Sequence, residues 1–336
     1  MARVSDIRST ERISSPVAVS VRVLSKQEVQ RLMPVSECIE PMAEVLAALT
    51  RAELENPLRT FLRPAGSESF MALMPAYRPE PALYSLKTAC VSPGNTRRGL
   101  DTHQGFIALF DGLTGQTRAI LNAAAITGIR TAAVSALATR LLARPDSRTL
   151  AILGAGTQAR FHLEGMRAVL PFERVVVWSR TPGRASRLEG VEEVATPREA
   201  VREADVVVTA TAALEPILLR AWLKDGAHVN AVGSSKPTTR ELDTATMAAA
   251  ALYVDRRESA LNESGDYLFA AAEGAIGPDH IRGEIGELVL GTVEGRRSES
   301  ELTVFKSLGL AVEDLAAAEH VLRLAEREGA GIEVEF

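Results

Sequence analysis

The chain has 336 residues, 46% of them hydrophobic and 24% charged, which suits a globular protein of more than one domain. Its 38 Lys and Arg against 43 Asp and Glu give a net charge of −5, and no long basic run occurs, so no nucleic-acid partner is expected. Cys38 and Cys90 form no C-x-x-C pair and the five histidines show no H-x-x-x-H spacing, which argues against a disulfide framework or a zinc centre.

Residues 1–18 mix arginines with Asp6 and Glu11 and lack an apolar core, so they read as a flexible extension rather than a targeting peptide. No apolar run approaches the ~18 residues needed to span a bilayer, and a cytoplasmic protein without a membrane partner is the expectation. Residues 36–53 set Ile39, Met42, Val45, Leu46 and Leu49 at helical spacing. Strand-like runs follow at 69–73, 84–89 and 106–110. Turn chemistry at 79–81, Pro93-Gly94-Asn95, Asp111-Gly112 and Thr114-Gly115 separates them. This pattern predicts an α+β unit built on antiparallel hairpins. A helix at 127–143, rich in small residues, suits close packing between domains, and it places Arg130 in its first turn.

Positions 149–158 read Thr-Leu-Ala-Ile-Leu-Gly-Ala-Gly-Thr-Gln, a buried strand entering a G-x-G-x-x-A turn at Gly154, Gly156 and Ala159, with a helix over 159–170. Gly154 permits a sharp turn, Gly156 lets backbone N–H groups approach a pyrophosphate, and Ala159 lets helix and strand pack closely. The helix N-terminus adds partial positive charge at the phosphates. Apolar runs at 174–178, 205–209, 228–232 and 252–255 alternate with helical stretches at 197–204 and 242–250. The expected class is therefore α/β, a Rossmann-type doubly wound parallel sheet, with Gly154, Ser179, Thr209 and Gly233 along one rim. An amphipathic helix at 312–328 ends the pattern.

Three cations stand out by position: Arg59 after Asn56-Pro57-Leu58, Lys87 inside an apolar strand, and Arg130. Each alone fits a solvated charge or an ion pair. A cation in a helix's first turn is disfavoured by the dipole unless something negative sits there, and a substrate carboxylate would supply it. Where an NAD-specific fold places an acid on the ribose, this chain has Ser179, Arg180 and Thr181, with Arg184 nearby. That favours the 2′-phosphate of NADPH, with NADH as the alternative. Ser234 or Ser235 lies near the nicotinamide position. No paired base makes either a nucleophile.

These segments resemble the ornithine cyclodeaminase/mu-crystallin family from about residue 24 to 330. The markers are Met74-Pro75-Ala76, Lys87-Thr88, Pro93-Gly94-Asn95, the run Ile126 to Ala133 and Gly154 to Gln158. Asn230-Ala231-Val232-Gly233, Glu263-Ser264-Gly265-Asp266, the run Thr303 to Gly309 and Glu313-Asp314 complete them. The resemblance implies a homodimer whose N-terminal domains pair. It divides the chain into a substrate-binding and dimerisation domain (19–126 plus 312–336) and a dinucleotide-binding domain (127–311). It also implies that Arg59, Lys87 and Arg130 grip the carboxylate of an α-amino or α-imino acid, with Arg63 a close competitor for the place of Arg59. Cofactor contacts are expected from Thr102, Gly154, Gly156, Thr157, Gln158, Ser179, Arg180, Thr181, Thr209, Val232 and Ser307.

One departure is informative. Cyclodeaminases carry an aspartate in the loop after the Asn-Ala-Val-Gly strand, and Ser235 stands there instead. Without that carboxylate, the proton acceptor for a substrate ammonium is missing. The expectation is an NAD(P)H-dependent reductase of small or cyclic α-imino acids, with Lys87, Arg130 and Ser235 at the reacting atoms. Three alternatives stay open: an amino-acid dehydrogenase acting on alanine, an ornithine or lysine cyclodeaminase, and a non-catalytic NADPH-binding protein.

Overall fold

The computed structural model describes residues 20–336, so the extension expected at 1–18 lies outside the described residues. The chain opens with strand β1 (Ser20–Leu24) and helices α1 (Lys26–Leu32) and α2 (Val35–Thr50), followed by β2 (Thr60–Leu62), β3 (Phe70–Pro79), β4 (Ala82–Val91), β5 (His103–Asp111) and β6 (Thr117–Asn122). Strands β2 to β6 pair antiparallel in sequence order, and β1 joins β6 in parallel. The period-2 pattern sets the faces. In β4, Leu83, Ser85 and Lys87 are buried while Tyr84 is exposed.

Helix α3 (Ala123–Leu142) starts four residues before the expected position. The Asn122 side chain is the reason: its Oδ1 accepts from the Ala125 N–H at 3.0 Å and caps the helix. Arg130 therefore lies in the helix interior and not in the first turn, so the dipole argument for a negative partner fails. The boundary expected at 126/127 falls inside this helix. Buried residues surround α3 on nearly every side, the pattern of a helix wholly within a core.

The second half runs β7 (Thr149–Leu153), α4 (Thr157–Val169), β8 (Arg174–Trp178), β9 (Glu192–Val194), α5 (Pro197–Val201), β10 (Val206–Thr209), β11 (His228–Ala231), α6 (Thr244–Ala249) and β12 (Ala251–Val254). It continues through α7 (Arg257–Glu263), α8 (Gly265–Ala272), β13 (Ile281–Glu284), α9 (Ile285–Val289), β14 (Thr303–Lys306), α10 (Ala311–Glu328) and β15 (Ile332–Glu335). Eight strands form one sheet in the order β13-β12-β14-β11-β10-β7-β8-β9, every neighbouring pair parallel. Strand order reverses between β7 and β10, which opens a crevice at their C-terminal ends. Strand β15 returns to pair antiparallel with β1 and so completes the first sheet.

One apolar core joins the halves. It takes Ile107 and Leu121 from the first sheet, Ile126 and Ile129 from α3, Met42 and Leu46 from α2, Leu315 and Val321 from α10, and Ile152 and Val208 from the parallel sheet. A second core covers the other face of the parallel sheet. The strand ends of the two halves are thus held by a continuous interior.

Candidate active site

The glycine turn follows β7 at the crevice. Gly154 has φ +121, and a Cβ there would meet Ala210 O at 2.5 Å, so only glycine fits. A Cβ on Gly156 would find nothing within 4 Å, and the N-terminus of α4 has no side-chain cap. Gln158 Oε1 is buried without a hydrogen-bond partner. An open cradle of uncapped N–H groups with an orphaned polar atom fits the pyrophosphate of a dinucleotide. Ser179, Arg180 and Thr181 follow β8 at the same rim. The Arg180 and Arg184 side chains are exposed and have no carboxylate partner among the described residues.

Other expected contacts are more deeply placed. The Thr209 hydroxyl donates to Glu241 Oε2 at 2.7 Å, so its side chain faces inward and only its backbone belongs to the rim. The Val232 N–H donates to Thr209 O and the Ser307 N–H to Ala231 O, fixing both residues just beyond their strands. Thr102 Oγ1 lies 3.0 Å from His103 Nδ1, before β5. Ser235 is half-buried, whereas the Ser234 hydroxyl is engaged by Thr239.

The three cations converge across the domain seam. Lys87 projects from the inner face of β4, where its register neighbours are Met74 and Ile107, and is 5% exposed. Its Nζ lies 3.2 and 3.1 Å from the Asp314 carboxylate oxygens. Arg130 Nε donates to Asp314 Oδ1 at 3.0 Å and Nη1 to Glu313 Oε2 at 2.9 Å, while Nη2 has no acceptor among the described residues. Arg59 Nη2 donates to the carbonyls of Leu308 and Gly309, each at 2.9 Å, and Nε stands 3.1 Å from Glu263 Oε1. Arg63 is elsewhere, its guanidinium stacked 4.5 Å from the rings of Phe61 and Phe70. Arg59 is the residue the fold brings to the other two.

Loop 307–310 binds this group together. Asp255 Oδ2 accepts the N–H groups of Leu308 and Gly309, each at 2.6 Å. Gly309 has φ +78 and lies flat on Arg130, since a Cβ would come within 2.3 Å of Nη1. The cations thus meet the protein's own acids, a role the sequence reading did not assign to Glu313, Asp314, Asp255 or Glu263. Two adjacent acids opening the otherwise amphipathic α10, both on its buried side, were the available signal.

Burial and pairing compete at each group. Burial lowers Lys87 to about 8, with Asp314 opposing and Arg130 and Arg59 assisting. Burial raises Glu313 to about 8 despite Arg130. Asp314 is also buried, yet Arg130 and Lys87 outweigh that and hold it below the ordinary range. At neutral pH both Lys87 and Glu313 therefore keep their protons.

A second charged cluster underlies the rim. Glu241 is fully buried, and its Oε1 accepts from the Thr211 N–H and hydroxyl while Oε2 accepts from Thr209 Oγ1 and the Gly233 N–H, all at 2.7 Å. Asp266 Oδ1 accepts the N–H groups of Glu241 and Leu242, and its Oδ2 lies 3.1 Å from Lys306 Nζ. These residues tie the loops after β10 and β11 into one frame.

The profile of the ornithine cyclodeaminase/mu-crystallin family matches residues 20–328. The chain is 41% identical over 307 residues to the ketimine reductase mu-crystallin of Mus musculus, spanning 89% of this chain and 95% of that one. The Δ1-pyrroline-2-carboxylate reductase of Thermococcus litoralis, solved with NADH and L-proline, superposes with a TM-score of 0.90 at 34% identity, covering 94% of this chain and 100% of that one. An archaeal alanine dehydrogenase dimer with bound NAD superposes at 0.89 with 30% identity, over 95% and 100% of the two chains. The cradle, the paired cations and these matches lead to one assignment: the chain belongs to the ornithine cyclodeaminase/mu-crystallin family.

Proposed function

We propose that this protein is an NAD(P)H-dependent reductase of small or cyclic α-imino acids such as Δ1-pyrroline-2-carboxylate and Δ1-piperideine-2-carboxylate, giving L-amino acids. The observation that carries the reading is the convergence of Lys87 and Arg130 on Asp314 at the cleft. The reductase names of the relatives agree with it. Gly154, Gly156, Thr157 and Gln158 would hold the pyrophosphate, and Ser179, Arg180 and Thr181 the adenosine ribose, where two exposed arginines favour a 2′-phosphate and hence NADPH over NADH. Thr102, Thr209, Val232 and Ser307 would border the nicotinamide. The bound nicotinamide supplies the hydride.

The residues of the chain then do the rest. Arg130 Nη2 and Arg59 hold the substrate carboxylate, a charge-assisted grip that fixes the imine carbon in the cleft. As hydride adds to that carbon, the C=N π pair moves to nitrogen, which takes a proton from Lys87. A pKa near 8 suits this donor, since it is charged at neutral pH and yields its proton readily. Ser235 orients the nitrogen. Because the site has a serine and not a carboxylate at that position, cyclodeamination of ornithine lacks its proton acceptor.

The outer face of the first sheet carries exposed Tyr84 and Phe106, 46% and 43% accessible, on adjacent strands. Such apolar exposure supports a homodimer that pairs these sheets; one structural relative, the archaeal alanine dehydrogenase, is a dimer. No described helix is long and apolar enough to cross a membrane, and a cytoplasmic location agrees with the chemistry.

The test is NADPH and NADH oxidation against preformed cyclic imines, with L-alanine and L-ornithine assayed in the reverse sense. Reduction of the cyclic imines is expected, faster with NADPH. Ammonia release from ornithine without net cofactor turnover, or silence with every imine, overturns the reading. A monomeric mass by light scattering removes the dimer.

A further inference from the structure

The charged cluster beneath the rim holds two acids and one base. Glu241 and Lys306 are 0% exposed and Asp266 is 1% exposed. Lys306 Nζ pairs with Asp266 Oδ2 at 3.1 Å and donates to Ala231 O, which leaves Glu241 without an ion-pair partner among the described residues. The surroundings of Glu241 are those of a carboxylate. The backbone N–H groups of Thr211 and Gly233 can only donate to it. The Thr211 hydroxyl accepts from the Ala213 N–H at 3.2 Å, which turns its own proton towards Glu241 Oε1. Burial raises Glu241 above its ordinary value and Asp266 adds to the rise, while Thr211, Lys306 and Thr209 oppose it. With Glu241 ionised, the cluster carries one negative charge in excess.

The fold places that excess at the ends of β10 and β11. Glu241 Oε2 accepts from the hydroxyl of Thr209, the last residue of β10, and from the N–H of Gly233, two residues beyond β11. A Cβ on Gly233 would collide with Glu241 Oε1, so the carboxylate lies against the backbone of the rim itself. Lys306 directly precedes Ser307, whose N–H bonds Ala231 O on the same rim. Thr209, Val232 and Ser307 are the residues assigned above to the border of the nicotinamide. A reduced nicotinamide is neutral and its oxidised form is a cation, so an unpaired negative charge fixed in a buried frame favours the oxidised ring.

We propose that Glu241 acts on the cofactor through its field, its buried carboxylate stabilising the positive charge that the nicotinamide acquires on giving up hydride, while Lys306 neutralises Asp266. The proposal rests on the reductase reading above. Hydride carries its electron pair to the imine carbon, the C=N π pair moves to nitrogen, and nitrogen takes the Lys87 proton. The positive charge left on the ring is the one that Glu241 faces. Glu241 is thus a positioning residue for charge, touching neither substrate nor cofactor.

The experiment measures the dissociation constants of NADPH, NADP+ and 2′-phospho-ADP-ribose, which lacks the nicotinamide, at equilibrium and without substrate. In Glu241→Gln the ratio Kd(NADP+)/Kd(NADPH) is expected to rise at least fivefold over the wild type, with 2′-phospho-ADP-ribose binding within twofold. Lys306→Gln keeps a donor towards Asp266 but removes the compensating cation, and the ratio should fall at least threefold. This opposite sign keeps the proposal testable if Glu241→Gln does not fold. An unmoved ratio in either variant overturns the field, as does equal weakening of all three ligands, which marks a frame that only shapes the cradle. A shifted ratio in a protein that reduces no imine keeps the field and removes the reductase reading. Reduction of Δ1-pyrroline-2-carboxylate with an unmoved ratio does the reverse.

Discussion

Two clusters of buried charge flank the cleft, and they differ in how completely their atoms are satisfied. Both Glu241 oxygens accept two short hydrogen bonds from the loops they join, and Lys306 is held by Asp266 and Ala231 O. Around Lys87 the contacts are longer, at 3.1–3.2 Å, one Arg130 nitrogen has no acceptor, and Glu313 Oε1 is buried without a partner. In the first cluster the Glu241 carboxylate is filled, and Asp266 Oδ2 is held only by its ion pair with Lys306. The second is balanced in charge but open in hydrogen bonding, which is what a site needs if its donors are to exchange partners during turnover.

Substitutions can separate the two. The largest effect is expected for Arg130→Ala, which leaves Asp314 and Glu313 buried with one cation fewer. Breaking such a pair costs about 3–5 kcal/mol of stability, to be read as a lower urea midpoint, together with at least a tenfold loss in kcat/KM. Glu241→Gln places an amide N–H against one of its four donors. Loss of about 1–3 kcal/mol is expected from the unsatisfied group, with the pH profile of turnover unchanged. A shifted profile there would erase the distinction between frame and site.

Lys87→Met should behave in the opposite way. Arg130 still pairs with Asp314, so the melting temperature should move little. Activity should fall at least tenfold in kcat/KM, about 1.4 kcal/mol in transition-state binding. The smallest effect sharpens this further. Reduction needs Lys87 charged, so kcat/KM should decline as pH rises through about 8. Asp314 opposes that deprotonation, whereas Arg130, Arg59 and His103 are the other groups around it. The alkaline limb should be absent in Lys87→Met, and its persistence would assign the limb elsewhere.

Much of the frame was legible from local pattern. The expected run 174–178 coincides with β8, and the strand-turn-helix at Gly154 stands where its glycines placed it, because parallel strands buried on both faces leave long apolar runs. Short edge strands such as β15, with sequence Ile-Glu-Val-Glu, gave too little pattern to see. The small-residue run marks the body of α3 but not its start, which the Asn122 cap sets four residues earlier. At the site, the cations were visible singly as odd residues in apolar surroundings. Their acid partners lie 184 and 227 positions away in sequence for Arg130 and Lys87 on Asp314, and no local rule brings such residues together. Lys306, in the run Val304-Phe305-Lys306, is the same kind of buried cation in an apolar strand and marks the second cluster.

The contact of Gly309 with the Arg130 guanidinium has a practical corollary for anyone wishing to alter which molecules this protein accepts. Residues 308 and 309 are fastened by Asp255 through their amides and by Arg59 through their carbonyls, while Arg130 fills the space where a methyl group would go. Enlarging the cavity from that side displaces the carboxylate grip along with the wall. Room for bulkier substituents has to be cut from the strand side, at Met74, the register neighbour of Lys87 on the inner face of β3.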